Sequence, residues 1–159
     1  MFWPDADVVA QAAKLLRWPG DPVRIRFGGE DAWAIASICS RSDGPAFPAD
    51  ASSRSRSTVR VSGVIVPGSA GSKIAARASV FAGYCPRAVM VPAGPAVLET
   101  QVSAAMLGQG VVLVSGTSIR LLGRAEAAQL GIAEAAQDAQ RRLATHVYAR
   151  FAEMGCQVG

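Results

Sequence analysis

The sequence predicts an α/β domain: a mixed sheet with parallel βαβ crossovers, an N-terminal helix plus hairpin, and a long C-terminal helix. Three observations lead there. From residue 58 onward, short apolar runs alternate with helix-like segments of about a dozen residues, the order that parallel strands joined by right-handed crossovers require. Those runs, "VRVSGVIV", "RAVMVP" and "VVLVS", are nearly continuous, as strands covered on both faces are. Before them, "VRIRF" alternates apolar and basic residues, "GGED" turns, and "AWAIASICS" continues as a second strand, which predicts a hairpin.

The elements follow in order. "DADVVAQAAKLLRW" (5–18) carries acids in its first turn and an apolar stripe of Val8, Val9, Ala12, Leu15 and Leu16, so it reads as a helix. "WPGDP" at 18–22 stops it. The hairpin strands are 23–27 and 32–40. Residues 41–57, "RSDGPAFPADASSRSRS", lose their apolar side chains and read as a long exposed Ser/Arg/Pro loop within the domain. A strand over 58–66, a helix over 72–84, a strand over 87–92, a helix over 95–110 and a strand over 111–115 come next. "SIRLLG" then returns as a short antiparallel strand. The segment 125–154 reads helical, with an interruption at Gly131. Ile132, Ala136, Ala139, Leu143, Val147, Phe151 and Met154 form one apolar face on it. That face either packs on its own domain or forms a dimer seam through Leu143, Val147 and Phe151.

Composition narrows the function classes. Half of the 159 residues are apolar and 18% are charged, which is globular and excludes a disordered chain. The mean hydropathy is positive. The 57 residues up to the end of the Ser/Arg loop are too few for a comfortable core, so 1–159 is one domain. No apolar run approaches the roughly 20 residues of a membrane span. The N-terminus "MFWPDADVVAQ" has acids where a signal peptide would be basic, which predicts a cytoplasmic protein. Cys39, Cys85 and Cys156 are far apart with no CxxC pair, and His146 is the single histidine, so no zinc or other metal site and no cofactor is expected. The net charge is +4, and Lys14 and Lys73 are the only lysines. The abundance of Ala, Gly, Val and Arg fits a GC-rich, bacterial type of coding sequence. The basic balance makes nucleic acid the first partner to consider.

The stretch "VSGVIVPGSAGSKIAARA" (61–78) puts a Gly/Ser loop between a strand and a helix. It is no triphosphate loop: Gly68, Gly71 and Ser72 precede Lys73, so the Gly-Lys-Ser/Thr order is missing. The dinucleotide spacing GxGxxG fails as well. Two readings stand. Either this is a plain turn, or the N–H groups at a helix start, with Ser72, Lys73 and Arg77, hold a phosphate. Arg54, Arg56 and Arg60 lead from the Ser/Arg loop into a strand, and Arg24 and Arg26 alternate on an earlier one. These arginines are either a solvated surface or a second backbone-binding patch. Aromatics are too scarce for a single-strand stacking platform. No GxSxG elbow exists to build a triad on His146, and Glu99 is either a solvated glutamate or the one acid that looks into a site.

The order helix, three strands, helix, strand, helix, strand resembles the restriction-endonuclease-like, PD-(D/E)xK, fold. "KIAARASVFAGYCPRAVMVPAGPAVLETQVSAAMLGQGVVLVSGTSIRLLGR" carries most of the likeness: a basic helix Lys73–Tyr84, the strand Arg87–Pro92, a helix ending in Gly108–Gly110, and the strand pair Val111–Leu122. The likeness covers 58–124 best. Active members of that family hold magnesium with an acid on the second strand and (Asp/Glu)-x-Lys on the third. Here "AWAIASICS" has only Asp31 at its edge, and "VRVSGVIV" has neither acid nor lysine. The resemblance therefore implies a non-catalytic relative that binds DNA or another partner. The alternative is a protein-interaction or scaffold subunit, a homodimer or a partner of another chain, that associates through its last helix.

Overall fold

The computed structural model describes residues 2–40, 47–48, 57–126 and 133–153. Helix α1 (Ala6–Leu16) opens on Asp5, whose carboxylate accepts from the Val8 N–H at 2.9 Å, and closes on Arg17 in the left-handed region, φ 61°. Strands β1 (Asp21–Phe27) and β2 (Glu30–Ser40) form the expected hairpin. Its turn is Gly28–Gly29 alone, both at positive φ, as a two-residue turn matched to strand twist requires. Glu30 and Asp31, expected in that turn, belong to β2.

Strand β3 (Phe47–Pro48) pairs antiparallel with β4 (Ser57–Pro67), which corrects the expectation of one continuous loop over 41–57. The reason is an open edge. β5 (Arg87–Pro92) pairs only with Val64–Pro67 of β4, so the amino-terminal half of β4 can accept another strand there. The remainder of 41–57, apart from Ser57, lies outside the described residues.

Helix α2 (Ser72–Ala78) is shorter than expected: a 3₁₀ turn, Ser79–Phe81, replaces its second half. Helix α3 (Val97–Met106), β6 (Gly110–Ser115), β7 (Ser118–Gly123) and α4 (Ala133–Glu153) complete the chain. The sheet runs β1-β2-β4-β5-β6-β7, with β3 added on β4. β4-β5 and β5-β6 are parallel and the other pairs antiparallel. The mixed sheet, its crossovers and both terminal helices are thus as the sequence predicts.

Two apolar clusters show the layers. α1 packs Val9, Ala12, Ala13 and Leu16 on Trp33, Ile35, Ile65, Ala88, Met90 and Val112, on one face of the sheet. The other face carries Ile74, Ala78 and Phe81 of the α2 segment, Ala104 of α3, and Leu143, Val147 and Phe151 of α4. These last three are 1%, 0% and 5% exposed. The seam proposed for a dimer is therefore occupied by the domain's own core. A register shift between Ile35 and Ala36 leaves Ser62 as an extra residue in β4, and its hydroxyl donates to the Pro19 carbonyl at 2.6 Å. Beyond that bulge Gly63 meets the Trp18 ring, where a Cβ would lie 2.7 Å away. The described helices include none long and apolar enough to cross a membrane.

Candidate functional site at the carboxyl ends of the central strands

The carboxyl ends of β4 and β5 lead into the first turns of α2 and α3, and two contacts tie this end together. The Gly71 N–H donates to the hydroxyl of Thr100 at 2.6 Å, and that hydroxyl in turn reaches the carbonyls of Ala96 (3.1 Å) and Gly71 (3.2 Å). Thr100 is fully buried on α3, so its bonds dock the loop before α2 against the first turn of α3. The Gly68 N–H is also used, on the Met90 carbonyl at 3.1 Å. The expected cradle of open N–H groups is therefore reduced at two of its positions, and α2 is too short to add a strong dipole. The backbone of "PGSAGS" is a tied turn.

The side chains are a different matter. Ser72 and Lys73 are exposed. Arg77, four residues on from Lys73, is drawn off: its Nε donates to Glu30 at 2.9 Å, and its Nη1 reaches the Pro67 carbonyl at 3.5 Å. Both partners of the pair are less than one third exposed. This ion pair joins α2 to the tip of the hairpin, and Val80 closes on Gly28 beside it. Arg26, whose side chain is 70% exposed, stands at that tip with its Nη1 3.3 Å from Asp31. Lys73 and Arg26, from distant parts of the chain, thus occupy one end of the sheet. Glu99, exposed in the first turn of α3, lies beside Thr100 at the same end.

Arg60 does not join them. It sits seven residues from Pro67 along β4, about 23 Å at strand spacing. It does share a sheet face with Arg24 and Arg26. Val59 and Val61 pack with the α4 side, so Arg60 between them projects to the α1 side. By the same alternation Arg24 emerges between Val23 and Ile25, and its guanidinium rests 4.4 Å from the centre of the Trp3 ring. Arg54 and Arg56 lie outside the described residues.

Two buried polar groups escaped the sequence. Arg87, 3% exposed at the start of β5, donates through Nη2 to the Leu107 carbonyl at the end of α3, while its Nε and Nη1 have no partner among the described residues. A guanidinium at a helix carboxyl terminus offsets the negative end of the dipole. Gln109, 2% exposed, donates through Nε2 to the Ala75 carbonyl at 2.8 Å and fastens the start of β6 to α2. Neither carries a spacing signal: "CPRAVMV" and "GQGVV" read as strand starts. Burial pushes the neighbouring Cys85 thiol up to about 12, against a smaller downward pull from Arg87. At neutral pH this thiol is protonated and inert. His146 is half-buried on α4 with its ring edge-on to Phe27, centroids 5.5 Å apart. Among the described residues no three His, Cys, Asp or Glu side chains group to hold a metal ion.

No protein-family model matches the chain, and neither a curated protein nor a solved structure matches it.

Proposed function

We propose that this chain is a non-catalytic domain with a nuclease-like core that binds the phosphate backbone of nucleic acid at the carboxyl ends of β4 and β5. The observation that carries the reading is the Arg77–Glu30 pair, which holds α2 against the hairpin tip. Ser72 and Lys73 on one side, and Arg26 on the other, then frame the same end of the sheet. In open α/β sheets ligands bind outside the carboxyl ends of the strands, which supports this placement. Arg77 acts as a positioning residue, its charge already matched by Glu30. Arg60 would form a separate contact at the far end of β4; Arg54 and Arg56, expected to join it, lie outside the described residues. Hydroxyl and cationic contacts of this kind read the backbone and not the base sequence.

Fluorescence anisotropy with a labelled duplex tests the reading. If three phosphates are neutralised, raising salt from about 50 to about 200 mM weakens binding roughly fortyfold. The double variant Arg26→Glu/Lys73→Glu should bind at least tenfold more weakly at the lower salt. Equal binding by wild type and variant, or no binding by wild type at low salt, would sink the reading.

A further inference from the structure

The chain leaves helix α3 through Gly108, at φ 68°, a conformation that glycine adopts without strain. Its missing side chain leaves room for Glu126: a Cβ on Gly108 would lie 2.8 Å from the Glu126 carboxylate. The Glu126 N–H also donates to the Gly108 carbonyl at 3.0 Å. The segment that follows β7 is thus held against the exit of α3, at the end of the sheet opposite the carboxyl ends of β4 and β5. Beside this contact lies a cavity of about 330 Å³. That is the small end of the range, roughly 300–1,000 Å³, of cavities that hold small molecules.

The wall of this cavity carries polar groups without partners. Arg124 and Glu126 both line it, are exposed, and take part in no ion pair among the described residues. Gln109 lines it as well. Its Nε2 is committed to the Ala75 carbonyl, while its Oε1 is shielded from solvent and has no hydrogen-bond partner among the described residues. A buried acceptor left open costs free energy that an arriving donor recovers. Val111 and Leu122 give the same wall an apolar part. From this combination we propose that the cavity binds a small zwitterion, an α-amino acid with an apolar side chain, its carboxylate on Arg124 and its ammonium on Glu126 and Gln109. The site is independent of the nucleic-acid reading.

The two opposite charges select this class. An anion alone would meet the Glu126 carboxylate, and a cation alone would meet the Arg124 guanidinium, so either leaves one charge of the wall unmatched. The phosphate backbone of a nucleic acid is disfavoured on the same ground. A zwitterion matches both, through charge-assisted hydrogen bonds that are stronger than neutral ones. Its ammonium has donors to spare for the amide oxygen of Gln109. An apolar side chain then gains by burial against Val111 and Leu122.

Saturation-transfer NMR on the full chain compares L-leucine with two analogues that keep its side chain: isocaproate, which lacks the ammonium, and isopentylamine, which lacks the carboxylate. Leucine should bind with a Kd of about 1 mM or tighter, and each analogue at least tenfold more weakly. Arg124→Gln and Glu126→Gln should each weaken leucine at least tenfold while keeping the wild-type circular dichroism spectrum, since both side chains are exposed. The two losses should be separable. Arg124→Gln should bind isopentylamine no more weakly than wild type does, and Glu126→Gln should do the same for isocaproate. Lys73→Glu, at the other end of the sheet, should bind leucine as wild type does. No binding of leucine at about 10 mM would overturn the proposal. So would equal binding of all three compounds, or leucine binding that neither cavity variant reduces.

Discussion

Helices α3 and α4 carry the same apolar spacing and meet opposite fates. Leu143, Val147 and Phe151 on α4 recur at every fourth residue and are almost completely buried. Leu98, Val102 and Met106 on α3 recur in the same way and face solvent. The difference lies in what each helix offers to the sheet. α4 sets its large side chains against β1, β3 and β4. α3 is confined between β5 and β6 as a crossover and turns small residues inward, with Thr100 bonded to the loop before α2 and Ala104 in the core. Large apolar side chains at helical spacing thus do not by themselves mark a buried face: the α4 row is covered by the sheet and the α3 row is exposed. Which face meets the sheet depends on which one the connections turn inward.

The contrast can be broken in order of expected effect. Leu143→Ala should cost about 2–5 kcal/mol of stability, because it empties a fully packed position. A change below 1 kcal/mol in urea unfolding would mean that α4 does not close this core. Thr100→Val comes next. It strips the Gly71 N–H of its acceptor in a half-buried place, and the loss should be about 1–3 kcal/mol. A neutral result would show that the bond does not hold the loop before α2. Leu98→Ala should be smallest, within about 0.5 kcal/mol in dilute solution, since the side chain touches little within its own chain. A loss comparable to that of Leu143→Ala would place Leu98 in a core and erase the distinction between the two helices.

Much of the candidate site was readable and part of it was not. The Gly/Ser loop between a strand and a helix, and Lys73 at its end, stand where "VPGSAGSK" puts them. The fate of Arg77 was hidden, because Glu30 lies 47 residues away and meets it only when β2 pairs with β4. Thr100 was hidden for the same reason: the loop it secures is 29 residues earlier. Arg60 and Ser72 are only twelve residues apart in the chain, yet the strand between them separates the two groups. Eleven residues of β4 keep its two ends apart.

Local patterns determined most elements of this protein, with β3 and the shortened α2 as exceptions. The Asp5 cap, the Gly28–Gly29 turn, the apolar runs of the central strands and the strand–helix alternation each act within a few residues, where backbone propensity and side-chain period suffice. Tertiary structure decided which faces those elements turn inward. It buried the α4 stripe and left the α3 stripe outside, paired Arg77 with Glu30, tied the glycine loop to Thr100, and placed Arg87 under the end of α3. Each of these depends on contacts between residues distant in sequence, whose energies exist only once the sheet has brought them together.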